Sequence, residues 1–193
     1  MGSSQLPAAV WTIGHSSRTI GEFVALLEAA RLEIVADVRR HAGSRAHPHF
    51  NPGPLTHALA RHGIDYTGIS ALGGRRSPRA DSNNTVWRNK SFRGYADYME
   101  TSDYRDAVDR LLGIAADRRT ALMCAEALWW QCHRALIADD LKSRGIEVFH
   151  IIGIAKAVEH PYTSAARRVD GRLVYGPISA ATGDLFAAGN DNE

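Results

Sequence analysis

The chain has 193 residues, of which 45% are hydrophobic and 23% charged, and its formal net charge is +2. These proportions describe a globular protein with enough apolar material for a sizeable core, and they exclude a disordered tail and a minimal peptide scaffold. No stretch approaches the roughly 18 uncharged apolar residues that a membrane span requires, and the N-terminus lacks a basic region followed by a long apolar run. A cytoplasmic protein without membrane contact is therefore expected. Residues 1–7 read as a leader, with Leu6 standing where a myristoylation signal requires Ser or Thr. The two cysteines, Cys124 and Cys132, are too few for a disulfide framework and form no repeated Cys-x-x-Cys pattern, which fits a reducing compartment.

The apolar, β-branched run at 8–13 stops at Gly14 and predicts a strand. Phe23, Leu26, Leu27 and Ala30 then give the helical spacing of a segment over 20–30. A second short run at 33–38 completes a βαβ unit and points to a parallel sheet. Residues 41–53, rich in Gly, Ser, His and Pro, predict a long loop, and Pro54 opens a helix to Arg61. A third strand follows at 64–67, then an aperiodic excursion over 72–89 of the kind that is functional or mobile in a compact domain. Helices are predicted over 92–99 and 104–115, with Thr101, Ser102 and Asp103 as cap-type residues between them. Residues 120–124 read as a buried strand, 127–143 as a helix ending near Gly145, and 146–152 as the last strand.

The order β-α-β-α-β-α-α-β-α-β predicts a single α/β domain over 8–155, its sheet parallel or mostly parallel and flanked by helices. Residues 156–178 read as a surface segment of the same domain carrying a short hairpin, and 179–193 as a flexible tail. Such sheets bind ligands beyond the carboxyl ends of their strands. The residues there are rich in chemistry: Gly14-His15-Ser16-Ser17 after the first strand, Asp37-Val38-Arg39-Arg40 after the second, and Cys124-Ala125-Glu126 after the fourth. In the helix predicted over 127–143, His133 shares the sheet-facing stripe with Leu136, Ile137, Asp140 and Leu141, and Cys132 and Arg134 flank it.

The motifs Thr12-Ile13-Gly14-His15-Ser16, Asp37-Val38-Arg39, Ser44-Arg45, Leu72-Gly73-Gly74, Phe92-Arg93-Gly94-Tyr95-Ala96-Asp97-Tyr98-Met99, Met123-Cys124-Ala125-Glu126 and Cys132-His133-Arg134 together resemble the bacterial family DUF488. The resemblance runs in order from about Trp11 to about Tyr175. It implies that His15, Ser16, Asp37, Arg39, Arg45, Cys124, Glu126, Cys132, His133 and Arg134 are this chain's versions of the family's signature residues. The family name denotes a domain of unknown function, so membership is implied and an activity is not. The Trp129-Trp130 pair stands where a more polar or proline-containing turn is expected.

Each of these residues has an ordinary structural reading beside the chemical one. Cys124 is a nucleophile, a metal ligand or a small buried hydrophobe. Glu126 is a general acid or base, its pKa raised by partial burial, or a cap for the following helix. The guanidinium forks of Arg39, Arg45 and Arg134 match phosphate or carboxylate, or pair with Asp37 and Glu126. Cys132 and His133, eight and nine positions past Cys124 with no fourth ligand beside them, have no zinc-finger spacing, so no metal or other cofactor is expected. A redox pair requires the helix turn to bring the two sulfurs together.

Between Val38 and Arg93 ten Lys or Arg face only two acids, interleaved with Phe50, Tyr66, Trp87 and Phe92, as in single-strand binders. The expectation is an enzyme acting on an anionic small molecule or nucleic acid. Cys124, Glu126, His133, Asp37 and His15 are the catalytic candidates, and Arg39, Arg45, Arg134, Ser16 and Arg93 the substrate-binding ones. The alternatives are a non-catalytic nucleic-acid-binding module and a metal- or redox-sensing protein.

Overall fold

The computed structural model describes residues 6–175. The leader expected over 1–7 lies largely outside them, and the tail expected over 179–193 lies wholly outside. Strands β1 (Ala9–Gly14), β2 (Ile34–Asp37), β3 (Asp65–Gly68), β4 (Thr120–Cys124) and β5 (Glu147–Gly153) are joined by helices α1 (Ile20–Ala29), α2 (Pro52–Ala60), α3 (Lys90–Met99), α4 (Ser102–Asp117) and α5 (Arg134–Ser143). The element order is the one read from the sequence. One sheet has the order β3-β2-β4-β1-β5-β6, in which all neighbours are parallel except the edge strand β6 (Lys156–Glu159), antiparallel to β5. Strands β7 (Arg167–Val169) and β8 (Arg172–Val174) form the separate hairpin expected from Asp170-Gly171.

A parallel sheet is covered on both faces, and its inner strands are accordingly mostly apolar, with Thr12, Asp37, Thr120 and His150 as buried polar exceptions. Alternation along β4 sends Ala121 and Met123 to a core shared with α1 and α2, through Phe23, Leu27, Leu55 and Leu59. Leu122 and Cys124 face the opposite core, built with Tyr95, Leu111, Leu136 and Leu141 of α3, α4 and α5. Cys124 is thus delivered by strand register to the face that α5 covers.

Two buried carboxylates fasten irregular chain to this frame. Asp97 of α3, 2% exposed, accepts from the Arg79 amide, the Ser82 hydroxyl and the Asn84 side chain, so the excursion over 72–89 is tied down rather than loose. Asp139 of α5, fully buried, accepts from the Thr163 amide and hydroxyl, from the Tyr175 hydroxyl and from His160, joining the C-terminal segment to the sheet layer.

The helix expected over 127–143 begins only at Arg134. Residues 125–133 instead form a loop with a 3-10 turn at Trp129–Gln131. It is held by the Arg134 side chain donating to the Glu126 carbonyl and by stacking of Trp129 on His150, ring centroids 4.1 Å apart. The loop crosses the end of β1 so closely that a Cβ at Gly14 would lie 1.8 Å from the Glu126 carbonyl oxygen.

Truncating Asp139 to Ala strands four donors at once, two on buried His160 and Tyr175 and two on half-buried Thr163, a loss of the kind that costs about 3–5 kcal/mol. Urea denaturation of the Asp139→Ala protein is expected to show that loss. A change below about 1 kcal/mol would mean that the network contributes little.

Candidate functional site

The parallel strands end together, and a cavity of about 470 Å³ opens there. His15, Arg39, Cys124, Glu126, Cys132 and His133 all border it. So do Arg40, His41, His47 and Arg75, which were not among the sequence candidates. Arg45 is exposed and Arg93 donates to the Trp87 carbonyl; neither borders the cavity. Ser16 also lies off it and contributes main chain, its amide donating to the Ala125 carbonyl and its carbonyl accepting from His15.

Asp37 and Arg39 form a buried ion pair at 2.6 Å. The Asp37 carboxylate accepts from the Arg39 amide, Nε and NH2 and from the Tyr66 hydroxyl. Arg39 also donates to the Phe50 carbonyl and, through NH1, to His15 Nε2. One NH1 hydrogen is left for a ligand, and the charge of Arg39 is already met. His15 donates from Nδ1 to the Ser16 carbonyl, so Nε2 carries the lone pair that Arg39 meets. Burial, with Arg39 and His47 nearby, lowers its pKa to about 4 against the contrary pull of the Ser16 carbonyl.

The cavity arginines without an acid partner are different ones, and Arg40 donates to the Arg75 carbonyl. Arg40 and Arg75 are exposed on the cavity rim, with no carboxylate within salt-bridge distance among the described residues. Glu126, the one acid bordering the cavity, is exposed, so the partial burial expected to raise its pKa is not found.

On the cavity floor Cys132 lies between His133 Nδ1 at 3.5 Å and Arg134 Nε at 3.4 Å. His133 is not on the sheet-facing stripe of α5 but caps its N-terminus, and its Nε2 donates to the Val38 carbonyl at 3.2 Å. A carbonyl only accepts, so Nε2 holds a proton and Nδ1 faces the sulfur either as base or as the second N–H of an imidazolium. Gly74 makes room for the ring: a Cβ there would sit 2.7 Å from Nδ1.

Arg134 is 1% exposed and, among the described residues, has no carboxylate within salt-bridge distance. Its acceptors are Cys132 Sγ, Thr12 Oγ1 and the Glu126 carbonyl. A buried guanidinium calls for an anion, and the ionisable group that Arg134 contacts directly is the Cys132 thiol. Burial pushes that thiol up, but hydrogen bonds with Cys124 and His133 and the charges of His133 and Arg134 outweigh it, holding Cys132 well below the usual thiol range. The hydrogen bond to Cys132, with burial, pushes Cys124 the other way. The hydrogen bonds thus favour the anion on Cys132 and the proton on Cys124, while the Arg134 charge and a hydrogen bond from the Glu126 main chain act on Cys124 in the opposite sense.

A polar chain runs behind this centre. Thr12 Oγ1 contacts His150 Nδ1 at 2.7 Å, His150 Nε2 contacts His160 Nδ1 at 2.9 Å, and His160 Nε2 contacts Asp139 at 3.1 Å. Arg134 donates into this chain at Thr12 Oγ1, and at its far end the Asp139 carboxylate accepts from His160 Nε2. Sequence reading passed over these residues, although Thr12 and His150 stood as polar interruptions in apolar strands.

Among the described residues no helix is long and apolar enough to cross a membrane. Three donor atoms could hold a metal: the sulfurs of Cys124 and Cys132 and the nearer nitrogen of His133 lie within 4.8 Å of one another. A family model described as domain of unknown function DUF488 matches residues 19–141, well over half of the chain and including Cys124 through Arg134. The chain belongs to the DUF488 family. No curated protein and no solved structure matches it.

Burial, with like-charged neighbours, holds His15 neutral down to about pH 4 and His150 down to about 2, whereas both take up a proton near pH 6.5 when unfolded. Below about pH 6.5 the unfolded chain therefore binds more protons, and stability falls as pH falls. Thermal melting is expected to drop steadily from about pH 7 to about pH 4.5, and substituting Phe for His150 should flatten the drop. A melting temperature independent of pH over that window would contradict this reading.

Proposed function

We propose that this DUF488 protein is an enzyme in which the Cys132 thiolate attacks an electrophilic centre of an anionic substrate, a nucleotide or a nucleic acid. The observation that carries the reading is the setting of Cys132. Its sulfur lies between an imidazole oriented by a main-chain carbonyl and a buried guanidinium without a carboxylate, at the floor of an open cavity. Nucleophile, base and orienting group stand in the relation that activated thiols require. His133 takes the Cys132 proton, and Val38 holds the ring in the tautomer able to accept it.

In the reaction a bond forms between Cys132 Sγ and the substrate, the leaving group departs with the bonding pair, and imidazolium His133 can return the proton to it. Arg40 and Arg75 draw in the anion, since Arg39 is committed to Asp37. Asp37 and His15 act by fixing Arg39, and Glu126 at the cavity border is the remaining acid or base. Two free cysteines in the centre suit the reducing cytoplasm. Non-catalytic nucleic-acid binding is the second reading, favoured by the exposed rim arginines.

A nucleoside triphosphate carrying a mild thiol-reactive group tests the proposal. It is expected to label Cys132, to leave the Cys132→Ser protein unlabelled, and to be blocked by excess unmodified nucleotide. The Arg40→Ala/Arg75→Ala double variant should slow labelling at least about tenfold, the equivalent of about 1.4 kcal/mol of binding. Equal labelling of wild type and Cys132→Ser would overturn the thiol reading. Salt-sensitive oligonucleotide binding unchanged in Cys132→Ser, with no labelling at all, would leave the binding module.

A further inference from the structure

We propose that Cys124, Cys132 and His133 form a binding site for one soft or borderline divalent cation, zinc in the first place, with its fourth coordination position open to the cavity. Tetrahedral zinc bound by thiolate at about 2.3 Å and imidazole at about 2.0 Å needs donors roughly 3.5–3.8 Å apart. The three donor atoms lie within 4.8 Å of one another, and Cys132 Sγ and His133 Nδ1 are already 3.5 Å apart. Closing the set thus calls for side-chain shifts of about 1 Å or less.

The surrounding groups are those that ligands of such a cation need. His133 donates Nε2–H to the Val38 carbonyl, which turns the Nδ1 lone pair toward the sulfurs, as partners of ligating histidines do. Two thiolates cancel the charge of a dication, and Arg134 donates to Cys132 Sγ from behind, where it orients the sulfur without occupying the cavity. Two sulfurs and one nitrogen select against magnesium and calcium, which take oxygen.

Among the described residues no fourth protein donor joins the set, although Glu126 stands on the cavity border. Structural zinc sites are closed by four protein ligands, whereas sites with three keep a position for an exchangeable ligand. Here that position faces the space bordered by Arg40 and Arg75. The ion would take the same sulfur lone pair that attacks substrate, so bound metal masks Cys132. The binding itself stands on the donor geometry alone; only the masking rests on the function proposed above.

The test titrates the metal-free, reduced full-length protein with cobalt(II) and then zinc, without oxygen. One equivalent of cobalt is expected to give a thiolate-to-cobalt charge-transfer band that zinc abolishes. Cys124→Ser and His133→Ala should each weaken binding at least about 100-fold, more than the loss of an outer partner costs. One equivalent of zinc should slow iodoacetamide alkylation of Cys132 at least about tenfold, with EDTA restoring the rate. Absence of the charge-transfer band, or equal cobalt affinity in both variants and wild type, would overturn the site. Zinc bound with alkylation unchanged would overturn the masking. Failure of the nucleophile reading shows separately, as slow alkylation of the metal-free protein.

Discussion

A guanidinium buried without a carboxylate is the constraint on which the rest of this site depends. Arg134 is 1% exposed, and its three contacts do three different things. Toward the Glu126 carbonyl it closes the loop between β4 and α5, toward Thr12 it ties that loop to the central strand, and toward Cys132 it places positive charge on a sulfur. Burying a charge costs several kcal/mol unless something answers it. Here the answer is shared between a thiol that ionises readily and a polar chain ending at Asp139.

The same arrangement separates two arginines that look alike in sequence. Arg39 follows β2 and has Asp37 two residues away, so its fork is filled by a carboxylate and by protein carbonyl and imidazole acceptors. It stiffens the wall of the cavity and holds His15 in one tautomer. Arg134 has no such partner, and its charge is spent on the reactive group. Under the proposed function, recognition of an anion falls to Arg40 and Arg75, which are exposed on loops at the cavity rim. Fixed charge inside and free charge at the rim is the division expected where a nucleophile must be tuned and a charged substrate attracted.

The order of strands and helices was legible because the signals are local: apolar runs broken by Gly14 and Gly145, helical spacing through Phe23 and Leu27, and cap residues such as Thr101, whose side chain accepts from the Tyr104 amide. The strand-end rule likewise led to His15, Asp37, Arg39 and Cys124, since topology alone gathers them. What escaped was set by contacts distant in sequence. The segment over 127–133 carries helical periodicity, but the pull of Arg134 on the Glu126 carbonyl and the stacking of Trp129 on His150 convert it to a loop, and that change moves His133 from helix stripe to cap. That loop is what brings Cys132 against His133 and Arg134, the groups that lower its pKa. The exposure of Arg45 on its loop, and the loop conformation that brings the Trp87 carbonyl to Arg93 of α3, are features that no spacing rule encodes.

The central claim is that buried Arg134 and capping His133 make Cys132 the reactive thiol and leave Cys124 protonated beside it. Limited alkylation of the reduced, metal-free protein with substoichiometric iodoacetamide near pH 7, followed by mapping of the modified peptide, tests this most directly. The account predicts modification of Cys132 at least about tenfold faster than of Cys124, since the thiolate is the nucleophile. Equal modification of the two sulfurs, or faster modification of Cys124, would contradict it.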